Sequence, residues 1–153
     1  MRCLLAVVGK PRNAALAAAI RDYEERAARY WPLEVHEVKE EPARGATPAI
    51  VMRKEGERLD AQLGSARVVA CEATGTSFTS AAFAAWLQGE RESGRDIAFV
   101  IGGAFGLAPD LTKRAARRLS LAPWTLPHEL ARLVLAEQLY RAGSIVRGEP
   151  YHK

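Results

Sequence analysis

The sequence has few of the residues that build covalent or metal frameworks. Only two cysteines, Cys3 and Cys71, occur in 153 residues. Both sit inside apolar runs, so they read as buried reduced thiols of a cytoplasmic protein rather than as a disulfide scaffold. No CxxC, HExxH or other His/Cys cluster occurs, so no metal site is expected. The histidines have no serine or cysteine partner at a readable spacing, which leaves nucleophilic catalysis unsupported. No apolar run approaches the ~18 residues of a membrane span. The opening MRCLLAVVGKPRN lacks the apolar core and small-residue cleavage site of a secretory signal, so none is expected.

Hydrophobic residues make up 48% of the chain and charged residues 26%, the balance of a globular domain rather than of a disordered or collagen-like chain. The length suits one domain spanning 1–153. Residues 1–100 are electrically neutral. The net charge of +4 therefore lies in the C-terminal third, where Lys113, Arg114, Arg117, Arg118, Arg132, Arg141, Arg147 and Lys153 outnumber Asp110, Glu129, Glu137 and Glu149. Such asymmetry fits a patch facing a polyanion, and an excess this small fits a solvated face as well. Most of the basic residues are arginines, whose planar fork suits phosphates and bases.

The pattern of elements alternates. Residues 2–8 form a continuous apolar run that predicts a buried parallel strand. A helix is expected from Pro11, with Leu16, Ile20, Tyr23 and Ala27 on one stripe and Pro32 as its end. Residues 33–38 read as a half-buried or edge strand, and 49–63 as a helix stopped by Gly64. RVVACEA (67–73) predicts a central strand followed by a Thr74-Gly75 turn, then a helix capped by Thr79 or Ser80 and closed by Gly94. DIAFVI (96–101) is a third apolar strand. A short helix over 110–116, a last strand over 119–122 and a long apolar helix over 127–146 complete an α/β fold, a mostly parallel sheet with helices on both faces. The last helix is apolar nearly all round, which predicts contact with the sheet and with a second chain.

Two segments could carry chemistry. Gly102, Gly103 and Gly106 follow a strand and precede a helix, where missing Cβ atoms let backbone amides approach a ligand; a ligand-free tight turn needs the same glycines. The spacing GGxxG, late in the chain, does not fit a dinucleotide-binding fingerprint. In the second segment, Pro123 and Pro127 bracket a stiff loop around Trp124, Thr125 and Leu126, with backbone polar groups and an aromatic wall suited to adenine; packing Trp124 into a core is the alternative. The tail Gly148–Lys153 combines a turn with an aromatic, an imidazole and a cation, where tails are usually frayed.

Together, IGGAFGL (101–107), LSLAPWTLPHELARLVLAEQLYRAGSI (119–145) and the terminal PYHK (150–153) resemble the RlmH family of SPOUT-class ribosomal RNA methyltransferases, over essentially the full chain. LLAVVGK (4–10) and KEGERL (54–59) fit the same resemblance. It implies a C-terminal trefoil knot, a homodimer, S-adenosylmethionine as cofactor, and methylation at N3 of a pseudouridine in 23S ribosomal RNA within assembled ribosomes. It further implies that the cofactor lies against Cys71, Gly102, Gly103 and the loop Leu121, Ala122, Pro123, Trp124, Thr125 and Leu126. Ala104-Phe105 departs from the Pro-Glu that relatives often carry. Tyr151 and His152 are expected at the catalytic entrance, with the tail crossing into a dimer partner's pocket, and Arg132, Arg141 and Lys153 are expected on RNA. A rival from another class is a non-enzymatic α/β module that binds RNA or nucleotide through the basic C-terminal third.

Overall fold

The computed structural model describes residues 1–153. Five strands, β1 (Cys3–Val8), β2 (Leu33–Val38), β3 (Arg67–Ser77), β4 (Ile97–Ile101) and β5 (Arg117–Ser120), form one sheet in the order β2-β1-β4-β3-β5. Every pairing is parallel. The helices between and after them are α1 (Ala14–Ala27), α2 (Pro48–Leu63), α3 (Ser80–Glu92), α4 (Pro109–Arg114) and α5 (His128–Val146). The α/β architecture expected of the alternating pattern is the one observed, and no helix is long and apolar enough to cross a membrane.

Side-chain alternation along the central strands builds two cores, one on each face. Cys3, Leu5 and Val7 of β1 and Ile97, Phe99 and Ile101 of β4 point to one side, where they meet Phe83 and Leu87 of α3 and Leu135 and Leu139 of α5. Leu4, Ala6, Val8, Ala98 and Val100 point to the other, against Leu59 and Leu63 of α2 and Leu111 of α4. Trp31, just after α1, is 1% exposed and donates its indole N–H to the Leu139 carbonyl at 2.8 Å, tying α1 to α5.

Helix α5 lies over the sheet between α1 and α3, and none of its residues is fully exposed. Its all-round apolar character is thus met largely within the chain. Gly143 makes the α1–α5 contact possible, since a Cβ there would stand 2.2 Å from Cγ of Tyr30.

Several boundaries shift. The first helix starts at Ala14, not Pro11, because the Asn13 side chain caps it by accepting from the Leu16 N–H at 3.0 Å. The short fourth helix ends at Arg114, and the last strand begins and ends earlier than expected, at Arg117 and Ser120. Thr74-Gly75 is not a turn. β3 continues through it to Ser77, with a register shift between Cys71 and Thr76 against β5. A Cβ on Gly75 would lie 2.7 Å from backbone carbons of Arg118 and Leu119, so this glycine serves close strand approach rather than chain reversal.

Candidate active site

The carboxyl ends of β4 and β5 and the bulged middle of β3 open onto a cavity of about 800 Å³. Three backbone segments build its wall: Cys71–Ala73 where β3 bulges, Ile101–Leu107 after β4, and Leu121 onward after β5, closing with Pro127, His128 and Ala131 at the start of α5. Ligands of open α/β sheets sit outside the carboxyl ends of the strands, as this cavity does. Of the nine residues expected at the cofactor, Cys71, Gly102, Gly103, Leu121, Ala122, Trp124, Thr125 and Leu126 line it together; Pro123 falls outside the lining.

Glycine is required in the β4 turn. A Cβ on Gly102 would stand 2.4 Å from the Gly106 carbonyl carbon and 2.8 Å from the Leu107 nitrogen, both backbone atoms that cannot swing away. Gly103 and Gly106 bridge each other, Gly106 N–H donates to the Gly103 carbonyl at 3.1 Å, and Gly106 holds a φ of +87°. The loop after β5 is fixed in its own way. Ser120 Oγ donates to the Ala122 carbonyl at 2.7 Å, and Pro123 and Pro127 restrict the backbone on either side of Trp124, Thr125 and Leu126. Burial pushes the Cys71 thiol up to about 12, so it is neutral at pH 7 and offers a wall, not a nucleophile.

Sequence reasoning missed a buried carboxylate behind this turn. Glu55 of α2 is 2% exposed; its Oε1 accepts the Glu41 N–H at 3.1 Å, and its Oε2 has no partner. A Cβ on Gly103 would come within 2.6 Å of that Oε2. Desolvation raises the Glu55 pKa, opposed in part by the Glu41 N–H. The motif KEGERL, which contains Glu55, was the available signal, and periodicity placed it only as one more helical position. His128, Glu72 and Phe105 also line the cavity without having been singled out for it.

The tail lies elsewhere in its own chain. Tyr151 packs on Tyr140 with ring centroids 4.5 Å apart and donates its hydroxyl to Glu137 Oε1 at 3.0 Å, and the Arg141 guanidinium sits 4.7 Å from the Tyr151 ring centroid. Desolvation and the neighbouring Tyr23 hydroxyl and Glu137 carboxylate raise the Tyr151 pKa. His152 Nδ1 lies 3.3 Å from Arg141 Nη1. Neither Tyr151 nor His152 lines the cavity of its own chain.

Among the residues expected on RNA, Arg132 is buried and paired. It is 6% exposed, pairs through Nε and Nη2 with Glu24 at 2.7 and 3.1 Å, and approaches Glu37 at 3.5 Å. These partners join α5 to α1 and β2, and its Nη1 has no hydrogen-bond partner. Arg141 is half-buried and paired with Glu137, whereas Lys153 is exposed and forms no ion pair.

A protein-family model described as "Predicted SPOUT methyltransferase" matches residues 1–152. The "Ribosomal RNA large subunit methyltransferase H" of Gemmatimonas aurantiaca is 64% identical over 154 aligned positions, covering 100% of each chain. The protein of the same name from Anaeromyxobacter dehalogenans strain 2CP-C is 45% identical, again over 100% of both. Among solved structures, a probable methylase family protein from Haemophilus influenzae Rd KW20 is similar with a TM-score of 0.58 at 13% identity, covering 99% of this chain and 70% of that one. A probable methyltransferase from Bordetella pertussis Tohama I matches with a TM-score of 0.58 at 14% identity, covering 92% of this chain and 95% of the other. At such identities these two speak for the fold alone, while the full-length matches at higher identity speak for descent. The chain belongs to the SPOUT methyltransferase family.

Proposed function

We propose that this protein transfers a methyl group from S-adenosylmethionine to N3 of a pseudouridine in 23S ribosomal RNA, on assembled ribosomes, as a cytoplasmic homodimer of a single 1–153 domain carrying the family's C-terminal knot. The observation that carries this reading is the convergence of two strand ends, each followed by a rigid turn, and the bulge of β3 on one large cavity. The relatives' shared name, full-length coverage and high identity supply the substrate class.

The residues present suit the cofactor. About 800 Å³ is ample for a nucleoside-sized ligand, the Gly102 position leaves room only for backbone, and the loop after Leu121 presents main-chain N–H and C=O groups in fixed positions. Bound S-adenosylmethionine supplies an electrophilic methyl carbon on a sulfonium. Displacement at such a carbon asks mainly for alignment, which the two stiff loops provide, and Ile101, Leu126 and Ala131 add apolar wall.

The acceptor N3 carries an imide proton that must be removed. In the tail's docked position His152 Nδ1 faces the Arg141 guanidinium, a group with donors only, so a neutral imidazole holds its proton on Nε2 and has no lone pair to offer. His152 acts as base only after the tail leaves this dock. That requirement supports its delivery, with Tyr151, into a second subunit's cavity. The half-buried Leu130, Leu133 and Val134 on α5 give a second copy an apolar surface.

Expression of this chain in cells lacking the modification tests the function, with N3-methylpseudouridine in their 23S RNA as the readout. Its appearance is expected; unmodified RNA beside abundant soluble protein contradicts the proposal. For the tail, mixed dimers of Gly102→Ala and His152→Ala subunits should regain activity that neither homodimer has, and no recovery contradicts delivery across subunits.

A further inference from the structure

Nine of the eleven aromatic side chains are engaged with another ring or with an arginine. The two that are not are Phe105 and Trp124. They are also the two exposed large aromatics, at 43% and 78%, and both stand on the wall of the same cavity. A tryptophan that exposed is unusual.

Neither ring is exposed because its segment is loose. Phe105 lies within a turn closed by the Gly103–Gly106 bridge, and its neighbours Gly102 to Gly106 bring no polar side chain. Trp124 comes after a loop start pinned by the Ser120–Ala122 hydrogen bond and lies between two prolines. Holding two apolar rings in water on stiff supports gains nothing for the folded chain. It lowers the ordering cost for whatever stacks on them. The cavity, at about 800 Å³, lies in the upper part of the ~300–1,000 Å³ range of ligand pockets.

Resting on the methyltransferase reading above, we infer that Phe105 and Trp124 form the stacking surface that receives the target base when it leaves the RNA helix. Chemistry on a base edge requires the base to be unstacked, and the lost stacking is replaced on the enzyme by aromatic faces. The occupant must reach the atoms between the β4 turn and the β5 loop, which is the place these rings border. A planar pyrimidine attached to a strand fits the opening. A π-face is common to uridine and pseudouridine, so the rings set affinity and placement of the base and do not select its N3 edge. Phe105 and Trp124 are positioning residues for the acceptor.

The test uses full-length protein with Phe105→Ala, Trp124→Ala and Trp124→Tyr. Three quantities are measured: steady-state methylation of ribosomes lacking the modification, calorimetric affinity for S-adenosylmethionine, and sedimentation of the assembly. Each alanine variant should raise KM for ribosomes roughly 5- to 150-fold, the span alanine substitution gives for one base–aromatic stack, with kcat largely held. Trp124→Tyr should recover most of the loss, and Phe105→Ala should bind S-adenosylmethionine like the parent. An unchanged KM in both alanine variants overturns the inference. So does a drop in the cofactor affinity of Phe105→Ala that matches its drop in methylation, which would place the ring on the cofactor, or a shift in sedimentation, which would place the rings between subunits. A parent protein that methylates nothing instead refutes the function itself, so the two failures are separable.

Discussion

At the scale of single residues, the cavity depends on atoms that are missing. Gly102→Ala puts a methyl group 2.4 Å from a backbone carbon, and the turn must move to relieve it. Overpacking of this kind costs about 1–3 kcal/mol. The expected outcome is a lower Tm together with loss of S-adenosylmethionine affinity by calorimetry; parent-like affinity would show that the turn does not shape the cofactor site. Glu55 carries a prediction with a definite sign. Its carboxyl is raised in the folded protein by desolvation, so the folded state holds the proton more tightly than the unfolded chain, and stability falls as pH rises through the interval between the two values. Glu55→Gln removes that slope. Melting temperatures of parent and variant, compared between pH about 5 and about 8, should diverge toward the alkaline end with the variant the more stable. Equal pH slopes would mean that Glu55 is already solvated.

At the scale of elements, α5 is the piece on which the other parts converge. It bears on β4, α1 and α3, supplies His128 and Ala131 to the cavity, and carries the dock for the tail through Glu137, Tyr140 and Arg141. Gly143→Ala improves helix propensity yet places a Cβ 2.2 Å from the Tyr30 ring. A net loss of roughly 1–3 kcal/mol in urea unfolding is expected, and a stabilised variant would show that α1 and α5 can separate freely.

The strands and long helices were legible because β1 and β4 are buried throughout and β3 over Val68–Ala70, so that they read as apolar runs, while β2, at the sheet edge, is only partly buried. Gly75 misled because a glycine in a TG pair serves a turn or a close strand contact equally well, and only tertiary structure decides. The setting of Arg132 was equally hidden, because its two carboxylate partners come from α1 and β2, more than ninety positions away in sequence. The loops that line the cavity were legible through their glycines and prolines; Glu55 was not, because a buried acid on an amphipathic helix looks like a solvated one.

At the scale of the whole molecule, the tail stands apart from the cavity. One chain provides the cavity, and the same chain holds Tyr151 and His152 on the outer side of α5, where the tail is stapled by Glu137, Tyr140 and Arg141. A Glu137→Ala change removes the acceptor of Tyr151 and the partner of Arg141. It should free the tail, seen as faster hydrogen exchange over residues 149–153; unchanged exchange would mean that ring packing alone holds it. The central claim, that the molecule moves a methyl group onto ribosomal RNA, is met most directly by incubating it with methyl-labelled S-adenosylmethionine and ribosomes lacking the modification, with free large-subunit RNA alongside. Label in a single pseudouridine of the assembled ribosome, and little in the free RNA, is the predicted result. Cofactor binding without label in either substrate, or RNA binding without any affinity for the cofactor, would contradict it.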